Sequence, residues 1–250
     1  SGVDAVVHLA AVPGGAAEEN PRLSREVNID AALELYARIA ATSRCPRVVF
    51  SSTIAVFGDP LPATGVDDDT PLAPRMIYGA HKAMMETALA NLSRRGEVDA
   101  VSLRLPGSIA RPKGPSGMRS AFLSDAFHQL MAGEAFTSPV SPDGHTWVMS
   151  VDRCVDNLVH ALGIESARLP TTRTVTLPAL RLSMTDYLGA ILQATGTDAS
   201  LVRYAPDPGI EAGFGAYPVL ATPLADSLGF RHDGSPAGFV EHVLAAIRRG

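Results

Sequence analysis

The sequence predicts an α/β protein built on a parallel sheet, and three observations predict it. Short apolar runs rich in β-branched residues recur along the chain: Ala5 to Leu9, Val48 to Thr53, Val98 to Leu105 and Thr174 to Leu177. They alternate with long segments of helical period, Arg22 to Thr42 and Met76 to Arg95. Small polar residues, Pro or Gly follow the strands, as they do where a buried parallel strand opens at its carboxyl end into a crevice.

Composition sets the bounds. The 250 residues, 46% hydrophobic and 19% charged, can bury a sizeable core in one large or two small domains. The net charge is −5 and the pI is near 5.8. No basic run exceeds the doublets Arg94-Arg95 and Arg248-Arg249, which argues against a nucleic-acid or anionic-membrane partner and favours a small molecule. Cys45 and Cys154 have no metal-ligand spacing, so reduced thiols in a cytoplasmic protein are expected. No stretch approaches transmembrane length, and Ser1-Gly2-Val3-Asp4 reads as neither signal nor transit peptide.

Taken in order, His8-Leu9-Ala10-Ala11 is followed by Val12-Pro13-Gly14-Gly15, a loop of small residues at a strand's carboxyl end, where open α/β sheets bind ligands. The segment Arg22 to Thr42 reads as a long helix with Leu23, Val27, Leu35 and Ile39 apolar, and it carries Asn28, a mediocre helix former whose amide wants a partner. Gly58 to Met76 is a loop of turn-formers around a solvated patch, Asp67-Asp68-Asp69. Val98 to Leu105 is a buried strand, and Pro106-Gly107-Ser108-Ile109 the crevice loop after it. A helix is expected from about Met118 to Met131, a short strand and helix from His145 through Leu162, and an N-cap at Ser183 for a helix to Ala194. Leu201 to Tyr204 reads as a short strand, with helices within Pro218 to Phe230 and from Pro236 to Arg249. His145 and His160 lack a ligand partner at metal-binding spacing, so no metal is expected. Gly213-Phe214-Gly215 opens no helix after a strand and is not a dinucleotide fingerprint.

The chemistry concentrates between Arg47 and Lys82. Tyr78 and Lys82 fall four apart on one helical face, and Thr53 sits at the mouth of the preceding strand. A phenol, with an ordinary pKa of about 10, is a poor acid or base until a neighbouring ammonium favours the phenolate. Beside a hydroxyl donor such a pair can pass a proton to or from a substrate alcohol or carbonyl, chemistry that suits hydride transfer. Tyr and Lys at this spacing are on most surfaces ordinary solvated residues. Here the chain has two lysines, Lys82 and Lys113, among its 21 basic residues. A Tyr with Lys four residues on is then expected by chance at about 0.04. Arg111, Lys113 and Arg119 offer cations near the crevice that could hold a carboxylate or diphosphate, or be plain surface charge.

The words Ser51-Ser52-Thr53-Ile54-Ala55-Val56-Phe57-Gly58, the Tyr78/Lys82 pair and His8-Leu9-Ala10-Ala11 resemble the extended short-chain dehydrogenase/reductases, the NAD-dependent epimerase/dehydratase superfamily. Pro46 to Phe50, Ile54 to Gly58, Arg104-Leu105-Pro106 and Arg111-Pro112 are most similar to the D-erythronate dehydrogenases of that superfamily. The resemblance implies a Rossmann-like, doubly wound parallel sheet with a smaller substrate-binding part. Residues 1–112 would form the dinucleotide-binding domain, lacking the βαβ units that carry the glycine-rich turn. Residues 113–250 would form the substrate part, with about 146–178 returning to the first domain.

It also implies roles. Tyr78 would be the acid/base, Lys82 would lower its pKa and hold the nicotinamide ribose, Thr53 would orient the reacting oxygen, and Asn28 would support the proton relay near Lys82. Leu9, Ala10, Ala11, Ser51, Ser52, Leu105, Pro106 and Ser108 would lie along the cofactor. Ile54, Arg111, Arg119 and Trp147 would meet the substrate, together with Thr53 and Tyr78. The cofactor would be NAD, with NADP not excluded, and the helices Arg22 to Thr42 and Met76 to Arg95 would pair in a homodimer. The activity implied is NAD-dependent oxidation of a small sugar acid of the D-erythronate type. Its rivals are a nucleotide-sugar 4-epimerase or dehydratase using the same residues, and a cofactor-sensing regulator that does no chemistry.

Overall fold

The computed structural model describes residues 3–42, 45–109 and 119–249. Its centre is a four-stranded parallel sheet in the order β1-β2-β3-β7, made of β1 (Ala5–His8), β2 (Arg47–Thr53), β3 (Asp99–Leu105) and β7 (Thr174–Thr176). β2 reads as a continuous apolar run because it is covered on both faces: Val48, Val49 and Phe50 are all buried. One face packs Val48 and Phe50 against Tyr36, Met85 and Leu89, and the other packs Val49 and Val101 against Leu158 and Ala161.

At the amino ends of the strands, Arg47 bonds Asp99 at 2.6 Å and the carbonyls of Ala161 and Ile164, while Arg173 bonds Asp99 at 2.7 Å. This staple ties β2, β3 and the helix behind them together.

Before β2 come α1 (Gly14–Glu19), α2 (Pro21–Arg25) and α3 (Ala32–Ala40). The helix expected from Arg22 to Thr42 is therefore broken, by a π-turn over Glu26–Ala31 centred on Asn28. The reason lies outside the helix: the Asn28 amide accepts from Val12 N–H at 2.8 Å and donates to Val12 C=O at 2.9 Å, pulling the loop after β1 onto the widened turn. The expected loop over Gly14 and Gly15 is the start of α1.

After β2, a 3₁₀ turn over Ile54–Phe57 leads through an irregular loop to α4 (Ile77–Arg94). In that loop Asp67 closes an Asx turn with Asp69 N–H, and Asp68 accepts Leu224 N–H at 3.0 Å, so the acidic patch is anchored rather than merely solvated.

Pro106 leaves β3, but Gly107 to Ile109 is not a loop. It forms β4 (Gly107–Ile109), parallel to β6 (His145–Ser150), which pairs antiparallel with β8 (Leu180–Ser183). β5 (Phe136–Ser138) pairs with β9 (Val202–Tyr204), and Leu201 belongs to the 3₁₀ turn before β9. The remaining helices are α5 (Ala121–Met131), α6 (Val151–Leu162), α7 (Met184–Thr195), α8 (Pro208–Phe214), α9 (Pro223–Leu228) and α10 (Pro236–Arg249). Ser183 caps α7 by accepting Asp186 N–H.

A second core packs α5, α7 and α10 around Phe127, Tyr187 and Phe239, whose rings stand 5.9 Å apart pairwise. No helix among the described residues is long and apolar enough to cross a membrane. No group of three or more His, Cys, Asp or Glu among them could hold a metal ion. Cys45 and Cys154 are both free.

Candidate active site

The carboxyl end of β2 delivers Ser51, Ser52 and Thr53 to one point, and the first turn of α4 lies against it. That approach depends on Gly79. A Cβ there would stand 2.5 Å from the Ala55 carbonyl oxygen, so any larger residue pushes the helix off the turn that follows Thr53. The helix start is finished from elsewhere: Met76 supplies no side-chain cap, and Glu18 of α1 accepts Ile77 N–H at 2.7 Å.

Lys82, four residues and one turn beyond Tyr78, is 2% exposed. Its Nζ donates to the Ser51 carbonyl at 2.6 Å and lies 4.4 Å from the Phe50 ring centroid and 5.6 Å from that of Tyr78. Burial pushes the Lys82 ammonium down to about 8, and the Glu86 carboxylate opposes that fall. His8, at the end of β1, is pushed below its ordinary range by burial and then by the Lys82 charge. Its Nδ1 meets the Tyr36 hydroxyl at 2.6 Å.

Above this floor opens a cavity of about 720 Å³. Ser51, Ser52, Thr53, Ile54 and Tyr78 line one side, Leu105, Pro106 and Ser108 another, and Trp147 and Arg119 the outer part. Thr53 Oγ1 accepts Ala55 N–H at 3.2 Å, so its own hydroxyl proton can donate to an oxygen in the cavity. Trp147 is fully buried in the wall with its indole N–H donating to the Pro218 carbonyl at 2.9 Å. Arg119 donates to the Gly209 carbonyl and lies 5.9 Å from the Phe214 ring centroid.

Not every expected residue gathers there. Leu9 and Ala10 are exposed beyond the end of β1, and neither they nor Ala11 line the cavity. Asn28 does not reach Lys82: its amide is spent on Val12 and on Ser24 Oγ, because the π-turn aims it at the β1 loop. Lys82 lies beneath the lining rather than in it. Arg111, Pro112, Lys113 and Met118 fall outside the described residues. Several wall residues were missed, among them Asp59, Phe214 and Tyr217. Phe214 ends α8 in the segment set aside as a failed glycine motif. The aromatic pair Phe214 and Tyr217, three apart, was the one signal available there.

The residues present fit the nicotinamide end of a dinucleotide. Strand ends make a slot, and an ammonium with three N–H groups, one taken by Ser51, lies beneath it. Gly14 and Gly107 both line the cavity, and a Cβ at either would stand 3.1 Å from Met76 Cε or from the Trp147 carbonyl oxygen.

Comparison with known proteins gives the family of the chain. The profile of the NAD dependent epimerase/dehydratase family matches residues 1–150. A D-erythronate dehydrogenase of Cupriavidus necator is 36% identical over 233 residues, 92% of this chain and 72% of that protein. One of Haemophilus influenzae is 32% identical over 244 residues, 96% of this chain and 77% of that protein. Among solved structures, a nucleoside-diphosphate-sugar epimerase of Agrobacterium tumefaciens superposes with a TM-score of 0.88 at 30% identity, covering 98% of this chain and 72% of its own.

Proposed function

The chain belongs to the NAD-dependent epimerase/dehydratase family of enzymes, which work with a nicotinamide cofactor, and we propose that it oxidises a secondary alcohol of a small sugar acid, D-erythronate or a close analogue, using NAD. One observation carries the chemistry: Thr53 and Tyr78 face a single cavity while the Lys82 ammonium is buried beneath the Tyr78 ring. In the oxidative direction Tyr78 accepts the alcohol proton, and the Lys82 charge stabilises the phenolate that must do so. Thr53 donates to the same oxygen and holds it in line. A bound nicotinamide supplies the hydride acceptor.

Ser51, Ser52, Leu105, Pro106 and Ser108 would hold the nicotinamide ribose and ring, and Leu9, Ala10 and Ala11, outside the cavity lining, would lie along the rest of the cofactor. Asn28 acts at one remove, fixing Val12 and hence the Pro13-Gly14 edge of the cavity. The Arg119 guanidinium, held by Gly209 and Phe214, takes the substrate carboxylate, and Ile54 and Trp147 give the apolar wall. The exposed Leu33 of α3 and Met84 of α4 suit the pairing of two such chains in a homodimer.

The likeness to a nucleoside-diphosphate-sugar epimerase favours a second reading in which the hydride is returned to the sugar. Net NADH accumulation with D-erythronate, and no interconversion of UDP-glucose with UDP-galactose, is the expected result. Epimerisation without NADH release would refute the dehydrogenase and promote the second reading.

A further inference from the structure

Glu86 lies one turn beyond Lys82 on the same face of α4, with its side chain 4% exposed. Its carboxylate accepts the Ser52 hydroxyl and two N–H groups of Arg104, at 2.8 and 3.1 Å. Arg104 in turn lies 4.9 Å from the Phe57 ring centroid, on the turn after Thr53. Lys82 and Glu86 therefore grip successive residues of β2, the first through the Ser51 carbonyl and the second through the Ser52 hydroxyl. Thr53 is the next residue along.

We propose that Glu86 is a positioning residue: with Arg104 as its counter-ion, the carboxylate clamps the end of β2 and keeps the Lys82 ammonium charged beneath Tyr78. The chain contains its own control. The Arg47–Asp99–Arg173 network at the opposite ends of the strands is also a partly buried carboxylate between guanidinium groups, yet among the described residues no lysine stands near it. That network only staples. At the site the carboxylate is shared, because one arginine balances it and the buried ammonium one turn away draws on the same negative charge.

Among the described residues, the ionisable groups around Lys82 are few. From α4 it faces Tyr78 and Glu86; from β1, His8, whose protonation opposes its own; and Arg104 approaches Glu86 from β3. Glu86 is the one anion among them whose charge supports the ammonium, against burial that lowers it to about 8. The proposal rests on Lys82 acting through Tyr78, but its first test needs neither cofactor nor substrate.

The chain has two lysines, so ε-¹³C-lysine labelling yields two resonances, and Lys113→Arg leaves that of Lys82 alone. Titrated by NMR, Lys82 should have its midpoint near 8, and Glu86→Gln should lower it by about one unit. Asp99→Asn should leave it in place. Where the single variant unfolds, Glu86→Gln/Arg104→Leu replaces the buried pair with neutral groups and should lower the midpoint too. An unchanged midpoint in a folded Glu86 variant overturns the proposal. In turnover, the alkaline limb of the kcat/KM profile should move to lower pH in Glu86→Gln and return in Glu86→Asp. A loss equal at every pH would make Glu86 a mere staple and sink the idea.

Discussion

The two cores of this protein spend burial differently. Around Phe127, Tyr187 and Phe239 the second core is almost wholly apolar, and the Tyr187 hydroxyl finds the Leu123 carbonyl. Behind the end of β2 the first core buries Lys82, Glu86, His8 and Asn28, groups that cost stability unless each is partnered. The apolar core holds a wall of the cavity in place. The polar one holds protons in place.

Four variants break or sharpen that contrast. Tyr78→Phe should lower kcat by about 10²–10⁴-fold with a much smaller loss of stability than a core truncation, because the half-buried ring is kept and the hydroxyl that carries the transferable proton goes; an active variant would remove Tyr78 from the chemistry. Phe127→Ala should do the opposite, costing about 3–5 kcal/mol in denaturant unfolding with kcat retained wherever the protein is folded. Gly79→Ala crosses the boundary. With its Cβ against the Ala55 carbonyl it should cost about 1–3 kcal/mol and reduce kcat together, and a loss of one alone would show that the α4 approach and Thr53 are uncoupled.

Lys82→Met is the subtlest. It should abolish turnover yet raise stability at pH 7 by about 1–2 kcal/mol, since a buried ammonium is exchanged for an apolar chain of like length. The pH dependence has a definite sign. Lys82 binds its proton more weakly in the folded state, with a pKa of about 8 against 10.5, so between those values the unfolded chain holds more protons and stability rises with pH. Urea titrations across that window should show the rise in the parent and its absence in Lys82→Met.

The β2–α4 axis was legible because its signals are local: a β-branched run, a helical period, and Tyr78 and Lys82 within one turn. What stayed hidden depends on distant partners. Gly107 to Ile109 looks like a loop until β6 arrives to pair with it. Asn28 looked like a neighbour of Lys82, but the π-turn that redirects it forms around Val12, on a loop before the helix. Glu86 and Arg104 are ordinary charges in the sequence, and only packing shows that they meet in the interior. The aromatic wall of Phe214 and Tyr217 was obscured by glycines that serve a short helix rather than a cofactor.

The chain has a single tryptophan, and it stands in the cavity wall. Trp147 is sealed from water, its indole N–H is satisfied, and the Tyr217 ring meets it edge-on at 5.1 Å. Its fluorescence should therefore be blue-shifted and report from one place only. A reduced nicotinamide absorbs where an indole emits, so quenching of that emission on titration with NADH is the expected sign of cofactor in the slot. The protein carries its own binding gauge, free of label and of turnover.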